Sequence, residues 1–247
     1  MKLPAASSVK VLLLDVGGVL VRPNFDRLAG ALSAHGVFAN PEAMAAAEPR
    51  VKRILDRPPS PGFSTDAERG WHYFNLVLGQ AGVPRSAATD AALAEVKAWH
   101  DQHCLWEDVL PGVRTGLERL LEAGLRLAAV SNSNGTLRRL FDRLGFTPFF
   151  EVILDSQVEG VEKPDPRLFH LALEKLEAPA ADALHAGDFY NVDVVGARAA
   201  GIRPVLVDEA DLYADADCPR VASLAELAAH LVAKASGPVS ATLRADR

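Results

Sequence analysis

Val9-Lys10-Val11-Leu12-Leu13-Leu14-Asp15-Val16-Gly17-Gly18-Val19-Leu20 is the stretch that decides the fold. An aliphatic run that stops at a carboxylate and two glycines reads as a buried strand. A strand covered on both faces has continuous rather than alternating hydrophobicity. It delivers Asp15 to the edge of a sheet, and glycine beside it lets a ligand approach the backbone at low steric cost. An aspartate ending a strand is also an ordinary turn or cap residue, so its meaning depends on what the rest of the chain brings to the same edge.

From about Leu110 onward, short apolar runs alternate with amphipathic segments. The runs are Leu125–Val130, Val152–Leu154, Ala183–Ala186 and Pro204–Val207. Between them, Val113, Leu117, Leu120 and Leu121 form one helix face, and Leu137, Leu140, Phe141 and Leu144 another. Gly124, Gly145 and Gly201 stand where helices should end, and Asp165-Pro166 pairs a cap with a first-turn proline ahead of a helix over Arg167–Leu176. This alternation predicts an α/β fold, a doubly wound parallel sheet whose first strand carries Asp15.

Residues 22–108 interrupt the pattern. Phe25, Leu28, Ala29 and Leu32 make a helical stripe, Thr65-Asp66-Ala67-Glu68 reads as a capping box ahead of Trp71, Phe74 and Leu78, and a further helix is expected from about Ser86 to His103. Asp56–Ser64, with three prolines and a glycine, is expected to be irregular. The division expected is a Rossmann-like core of residues 1–21 and 109–247 with an inserted helical cap of residues 22–108, lying over the carboxyl ends of the strands where open α/β sheets bind ligands.

Composition excludes several classes. The 247 residues are 49% hydrophobic, enough for a sizeable core. A formal net charge of −6 provides no basic surplus for nucleic acid. Two cysteines, Cys104 and Cys218, are no disulfide framework and fit a reducing, cytoplasmic setting. No secretory signal or membrane-spanning run is apparent, and Ser236–Arg247 reads as a frayed tail. Oligomeric state is left open.

Three later segments carry chemistry. Ser131-Asn132-Ser133-Asn134-Gly135 follows a strand and opens a helix, so its hydroxyl, amide and free backbone N–H groups suit an oxyanion, although an ordinary cap has the same composition. Glu162-Lys163-Pro164-Asp165-Pro166 holds a lysine rigidly before a helix. In His185-Ala186-Gly187-Asp188-Phe189-Tyr190-Asn191-Val192-Asp193 a second buried strand ends in an acid, with another five residues on. Asp188 and Asp193 near Asp15 would make an oxygen-ligand site for a hard cation.

In this order the four segments resemble the haloacid dehalogenase-like hydrolase superfamily (HAD), in the branch with a helical cap after the first motif. The resemblance spans Val9 to about Ala235. It implies Asp15 as the nucleophile that becomes an aspartyl phosphate, with Mg²⁺ held by Asp15, the Gly17 carbonyl and Asp188. Ser131, Asn132 and Lys163 would contact the phosphoryl group, Lys163 with a catalytic role, and Asp193 would support the metal's water shell or Lys163. The implied substrate is a small phosphorylated metabolite. One position departs: the phosphatase pattern has an acid two residues after the nucleophile, where this chain has Gly17. Asp26 and the histidines His72, His100 and His103 are candidates to replace it. The departure keeps three readings open: a Mg²⁺-dependent phosphate monoester hydrolase, a non-catalytic phosphoryl-ligand binder, and a 2-haloacid dehalogenase-type hydrolase. The retained Gly187-Asp188 and Asp193 weigh against the last.

Overall fold

The computed structural model describes residues 2–56 and 66–233. Its strands are β1 (Val11–Leu14), β2 (Val21–Pro23), β3 (Trp106–Val109), β4 (Arg126–Ser131), β5 (Val152–Asp155), β6 (Ala183–Gly187), β7 (Arg203–Val207) and β8 (Arg220–Val221). The main sheet runs β5-β4-β1-β6-β7-β8, parallel throughout. Each strand expected from the sequence is present, shifted by a residue or two at its ends. β8 was not expected, because two residues carry no periodicity.

The sheet is covered on both faces, which is why its strands read as unbroken apolar runs. Leu12, Leu14, Leu127 and Ala129 belong to one hydrophobic cluster, with α5 (Val113–Glu122), α6 (Leu137–Leu144) and α10 (Leu224–Val232). Val11, Leu13, Ala128 and Val130 point the other way and meet α8 (Pro166–Lys175) and α9 (Val195–Ala199). Asp165 caps α8 as expected, and Gly124, Gly145 and Gly201 all have the left-handed φ that ends a helix. Leu121 departs from expectation: it is exposed, because it lies about 100° round α5 from buried Leu120.

Between β2 and β3, which pair antiparallel, the chain forms α1 (Phe25–Ala34), α2 (Pro41–Leu55), α3 (Asp66–Gln80) and α4 (Ala87–His103). These helices share a hydrophobic cluster of their own, built on Leu28, Leu32, Met44, Val51, Phe74 and Val77. The Thr65–Glu68 capping box, most of the Asp56–Ser64 loop, the Trp71 side chain and the Ser236–Arg247 tail lie outside the described residues or side chains. Among the described residues no helix is long and apolar enough to cross a membrane.

Polar contacts help tie this helical layer to the sheet. Asp56, the C-cap of α2, is buried and accepts from the backbone N–H of Tyr190 (2.6 Å), that of Asn191 (2.8 Å) and the Tyr213 hydroxyl (2.8 Å). Arg53 adds an ion pair to Asp215 at 2.7 Å. Replacing Asp56 by alanine leaves three donors unmet, a desolvation cost of roughly 1–3 kcal/mol for each one that water does not reach. Urea denaturation of Asp56→Ala should show a loss of at least about 1 kcal/mol, and an unchanged midpoint would mean that these bonds do not hold the layer in place.

Candidate active site

The sheet order reverses at β1, with β4 to one side and β6 to the other, and ligands of open α/β sheets bind outside the strand ends at such a point. Asp15 follows β1, Ser131 ends β4 and Asp188 follows β6. The Asp15 N–H donates to the Ala186 carbonyl (2.9 Å), so the position of Asp15 is fixed by the ladder itself. All three residues line a cavity of about 600 Å³ roofed by α2, α3 and α4.

Lys163 sits between α7 (Ser156–Glu159) and α8, ahead of a cis bond to Pro164. Its side chain is 1% exposed, and its ammonium bridges Asp15 Oδ1 and Asp193 Oδ1, both at 2.7 Å. Burial would strip its proton, but the two facing carboxylates outweigh that and hold it charged. The sequence placed Lys163 against a phosphoryl oxygen; the geometry assigns it first to orienting Asp15, whose Oδ2 has no partner among the described residues. Asp193 also accepts from the Phe189 N–H (3.0 Å) and faces His185 Nε2 (3.0 Å). Burial raises its pKa, yet Lys163 and His185 overcome this and keep it well below the carboxylate range.

Asp188 is buried as well, and Lys52 of α2 reaches down to it at 2.9 Å. Sequence reading missed Lys52. Glu48, Lys52 and Asp56 recur every fourth residue along α2, and that spacing was the available signal. Tyr73 of α3 donates to Glu48 (2.9 Å), which itself lies 3.9 Å from Lys52. Gly18 has φ +70°, and a Cβ there would collide with the Asp188 carboxylate, so no other residue fits this turn.

Asn132 and Ser131 both line the cavity. The Asn132 amide is engaged on both sides by the Lys163 backbone, accepting from its N–H (2.8 Å) and donating to its carbonyl (3.0 Å). It therefore fixes the lysine loop. Nor are the N–H groups opening α6 free: Asp155 at the end of β5 accepts from Gly135 N (3.0 Å) and Leu137 N (3.2 Å), and Ser156 Oγ takes Ser133 N. The cap came from a neighbouring strand, which local sequence could not reveal.

The candidates for the acid missing at Gly17 fare unevenly. Asp26 is exposed on α1 and does not line the cavity. His100 does line it, but burial lowers its pKa, and its ring nitrogens face the Leu105 N–H (3.0 Å) and the Asn134 amide (3.1 Å). His72 and His103 do not reach the cavity. The side chain beside Gly17 is instead Trp106 of β3, whose Cδ1 and Nε1 lie 3.4 and 3.5 Å from where a Cβ would be. Trp99 packs away from the cavity, under Arg27.

The donor set fits a divalent cation. Oxygens of Asp15, Asp188 and Asp193 lie within 4.8 Å of one another. Four buried carboxylates, counting Glu48, face two ammonium groups, which leaves two negative charges uncompensated. Burial, with repulsion from the neighbouring acids, pushes Asp15 up to about 7 against the pull of Lys163, and Asp188 up to about 6 against the pull of Lys52. Both therefore bind protons more tightly folded than unfolded. Without a cation, the stability these two groups contribute is full below about pH 4 and is lost as pH rises through 6 and 7. Melts in chelator should give a lower Tm at pH 8 than at pH 5; a Tm that rises across this window would contradict the buried charge excess.

Comparison with known proteins agrees with this arrangement. The family description "haloacid dehalogenase-like hydrolase" matches residues 9–201. The human haloacid dehalogenase-like hydrolase domain-containing protein 3 is 30% identical over 206 residues, 81% of this chain and 82% of that protein. A ribulose-1,5-bisphosphate 5-phosphatase from Halopiger xanaduensis is 31% identical over 160 residues, 63% of this chain and 66% of that protein. Among solved structures, the HAD-hydrolase YfnB of Bacillus subtilis, bound to magnesium, superposes with a TM-score of 0.65 at 20% identity, covering 91% of this chain and 98% of its own. With the matched region running from β1 through α9 and every strand-end residue of the site inside it, the chain belongs to the haloacid dehalogenase-like hydrolases.

Proposed function

We propose that this hydrolase cleaves a small phosphate monoester through an aspartyl-phosphate on Asp15. The observation that carries this reading is the state of Asp15 itself: a buried carboxylate on the cavity floor, one oxygen held by Lys163 and the other unpartnered. A site that only held phosphate would gain nothing by aiming an anion at it. The Halopiger phosphatase relative supports a phosphate ester as substrate. The cavity volume suits a small metabolite, and the net charge offers nothing to a nucleic acid. Both cysteines are free and buried, in keeping with a cytoplasmic protein.

Residues 22–108 act in this reading as a cap over a core of residues 1–21 and 109–247, with β2 and β3 as its stem. Asp15, Asp188 and the Gly17 carbonyl would hold Mg²⁺, which when bound supplies positive charge against the anionic substrate and the transferring group. Lys163 holds the attacking carboxylate in line and, through Asp193, keeps its own charge fixed. Asp15 forms the new P–O bond as the ester P–O bond breaks, so one hard displacement becomes two easier ones. Ser131 lines the cavity and would meet the phosphoryl oxygens, where positioning supplies most of phosphoryl-transfer catalysis.

Two outcomes test this. Asp15→Asn should lose turnover of phosphate esters by at least about 1,000-fold while melting within a few degrees of wild type; retained activity would reject covalent catalysis. Mg²⁺ should raise the Tm in proportion to the logarithm of its concentration, by mass action on the folded state. Asp188→Ala should remove most of that rise, and calorimetry without a Mg²⁺ effect at millimolar concentration would remove the metal from the mechanism.

A further inference from the structure

Gly17 leaves a space beside the nucleophile, and the chain fills that space from elsewhere. The Trp106 indole presents its Cδ1–Nε1 edge there, at the 3.4 and 3.5 Å given above. Gly17 does not adopt the left-handed φ of Gly18, so its conformation does not demand glycine; the room beside it is taken by the ring. The indole is clamped on three sides, with ring centroids of Tyr73 at 5.9 Å, Phe74 at 5.6 Å and His100 at 5.5 Å, and its backbone is held by β2. It lines the same cavity as Asp15 and Lys163. Its N–H finds no acceptor among the described residues. A rigid donor without a partner among the described residues, on a ring that lines the cavity, is available to a ligand acceptor.

We propose that the Trp106 N–H is the leaving-group contact of this site, donating a hydrogen bond to the ester oxygen without transferring a proton, so that the enzyme is restricted to phosphates whose leaving group departs as an anion: acyl, enol and aryl phosphates rather than alkyl phosphates. The inference rests on the phosphatase reading. An indole N–H does not ionise in water, so it stabilises charge on the departing oxygen but cannot neutralise it. Three of the other cavity donors are committed: the Tyr73 hydroxyl to Glu48, Lys52 to Asp188 and Lys163 to Asp15 and Asp193. The bonds balance without an acid. Asp15 gains a P–O bond, and the leaving oxygen keeps the electron pair of the broken one. Water then splits the acyl phosphate, and its two protons end on the released phosphate as the Asp15 carboxylate is regenerated.

The test uses the full-length protein with Mg²⁺ and four substrates of rising leaving-group basicity: acetyl phosphate, 4-nitrophenyl phosphate, phenyl phosphate and ethyl phosphate. Wild-type kcat/KM should fall at least about 100-fold from nitrophenyl to ethyl phosphate, the size of a missing general acid. Trp106→Phe, which keeps the ring and removes the N–H, should lower kcat/KM for phenyl phosphate about 100-fold. The loss should be smaller for acetyl phosphate, so that the leaving-group dependence steepens, and inhibition by inorganic phosphate should be unchanged. A packing role alone would shift all four substrates equally. Equal turnover of aryl and alkyl esters by the wild type overturns the inference and leaves the phosphatase intact, and this arm decides the matter even if the variant fails to fold. A Trp106→Phe enzyme with wild-type rates overturns it too. No turnover of any of the four would overturn the phosphatase reading itself.

Discussion

The ammonium of Lys163, held between Asp15 and Asp193, is the interaction on which the rest of the site depends. Two carboxylates this close and this buried repel each other strongly, and removing one partner of such a buried arrangement typically costs about 3–5 kcal/mol. The neighbours are arranged to keep the lysine there. Asn132 grips its backbone at both ends, and His185 Nε2 lies 3.0 Å from the Asp193 carboxylate, which accepts. α9 packs so tightly on the same loop that Gly196 has Pro164 and Phe169 against it, with no room for a methyl group. The arrangement is thus specified by backbone contacts as much as by charge.

Around that centre the charges are matched unequally. Asp193 meets Lys163 and His185 from within the sheet layer, whereas Asp188 relies on a lysine from the helical layer. Lys52 therefore has two jobs. It neutralises part of the carboxylate cluster, and it ties α2 to the residue that follows β6. Asp56, one turn further along α2, fixes the same helix to the turn that follows β6. A single helix face spaced at four residues thereby meets the sheet edge at two points.

Much of this was legible in the sequence, and the parts that were not have common causes. Asp15, Lys163, Asp188 and Asp193 were found because each follows or faces a run whose burial is obvious from composition. The strands of the core and the caps at Asp165, Gly124 and Gly145 were legible because they obey local rules. β2, β3 and β8 were not, since two to four residues carry no period. Lys52 and Trp106 depend on how a helical layer docks, which no local pattern records. The Ser131–Gly135 segment was read as open to an anion because the residue that closes it, Asp155, belongs to another strand. Asn132 lies at the site, and its bonds to the Lys163 backbone, which depend on two loops meeting, were not legible locally.

The central place of β1 in the sheet also bears on how the chain must assemble. Val11–Leu14 bonds to Arg126–Ala129 on one side and to Ala183–Ala186 on the other, so the most apolar strand leaves the ribosome more than a hundred residues ahead of its first partner. The helices of residues 25–103 emerge in the interval and have a hydrophobic cluster of their own to form. They give the nascent chain something to fold while β1 waits. The lysine that steadies Asp15 arrives later still, so the carboxylates meet only when most of the sheet is already in place. Parallel pairing over such distances is slow, and the aliphatic run that announces the fold is also its most exposed hazard until β4 closes against it.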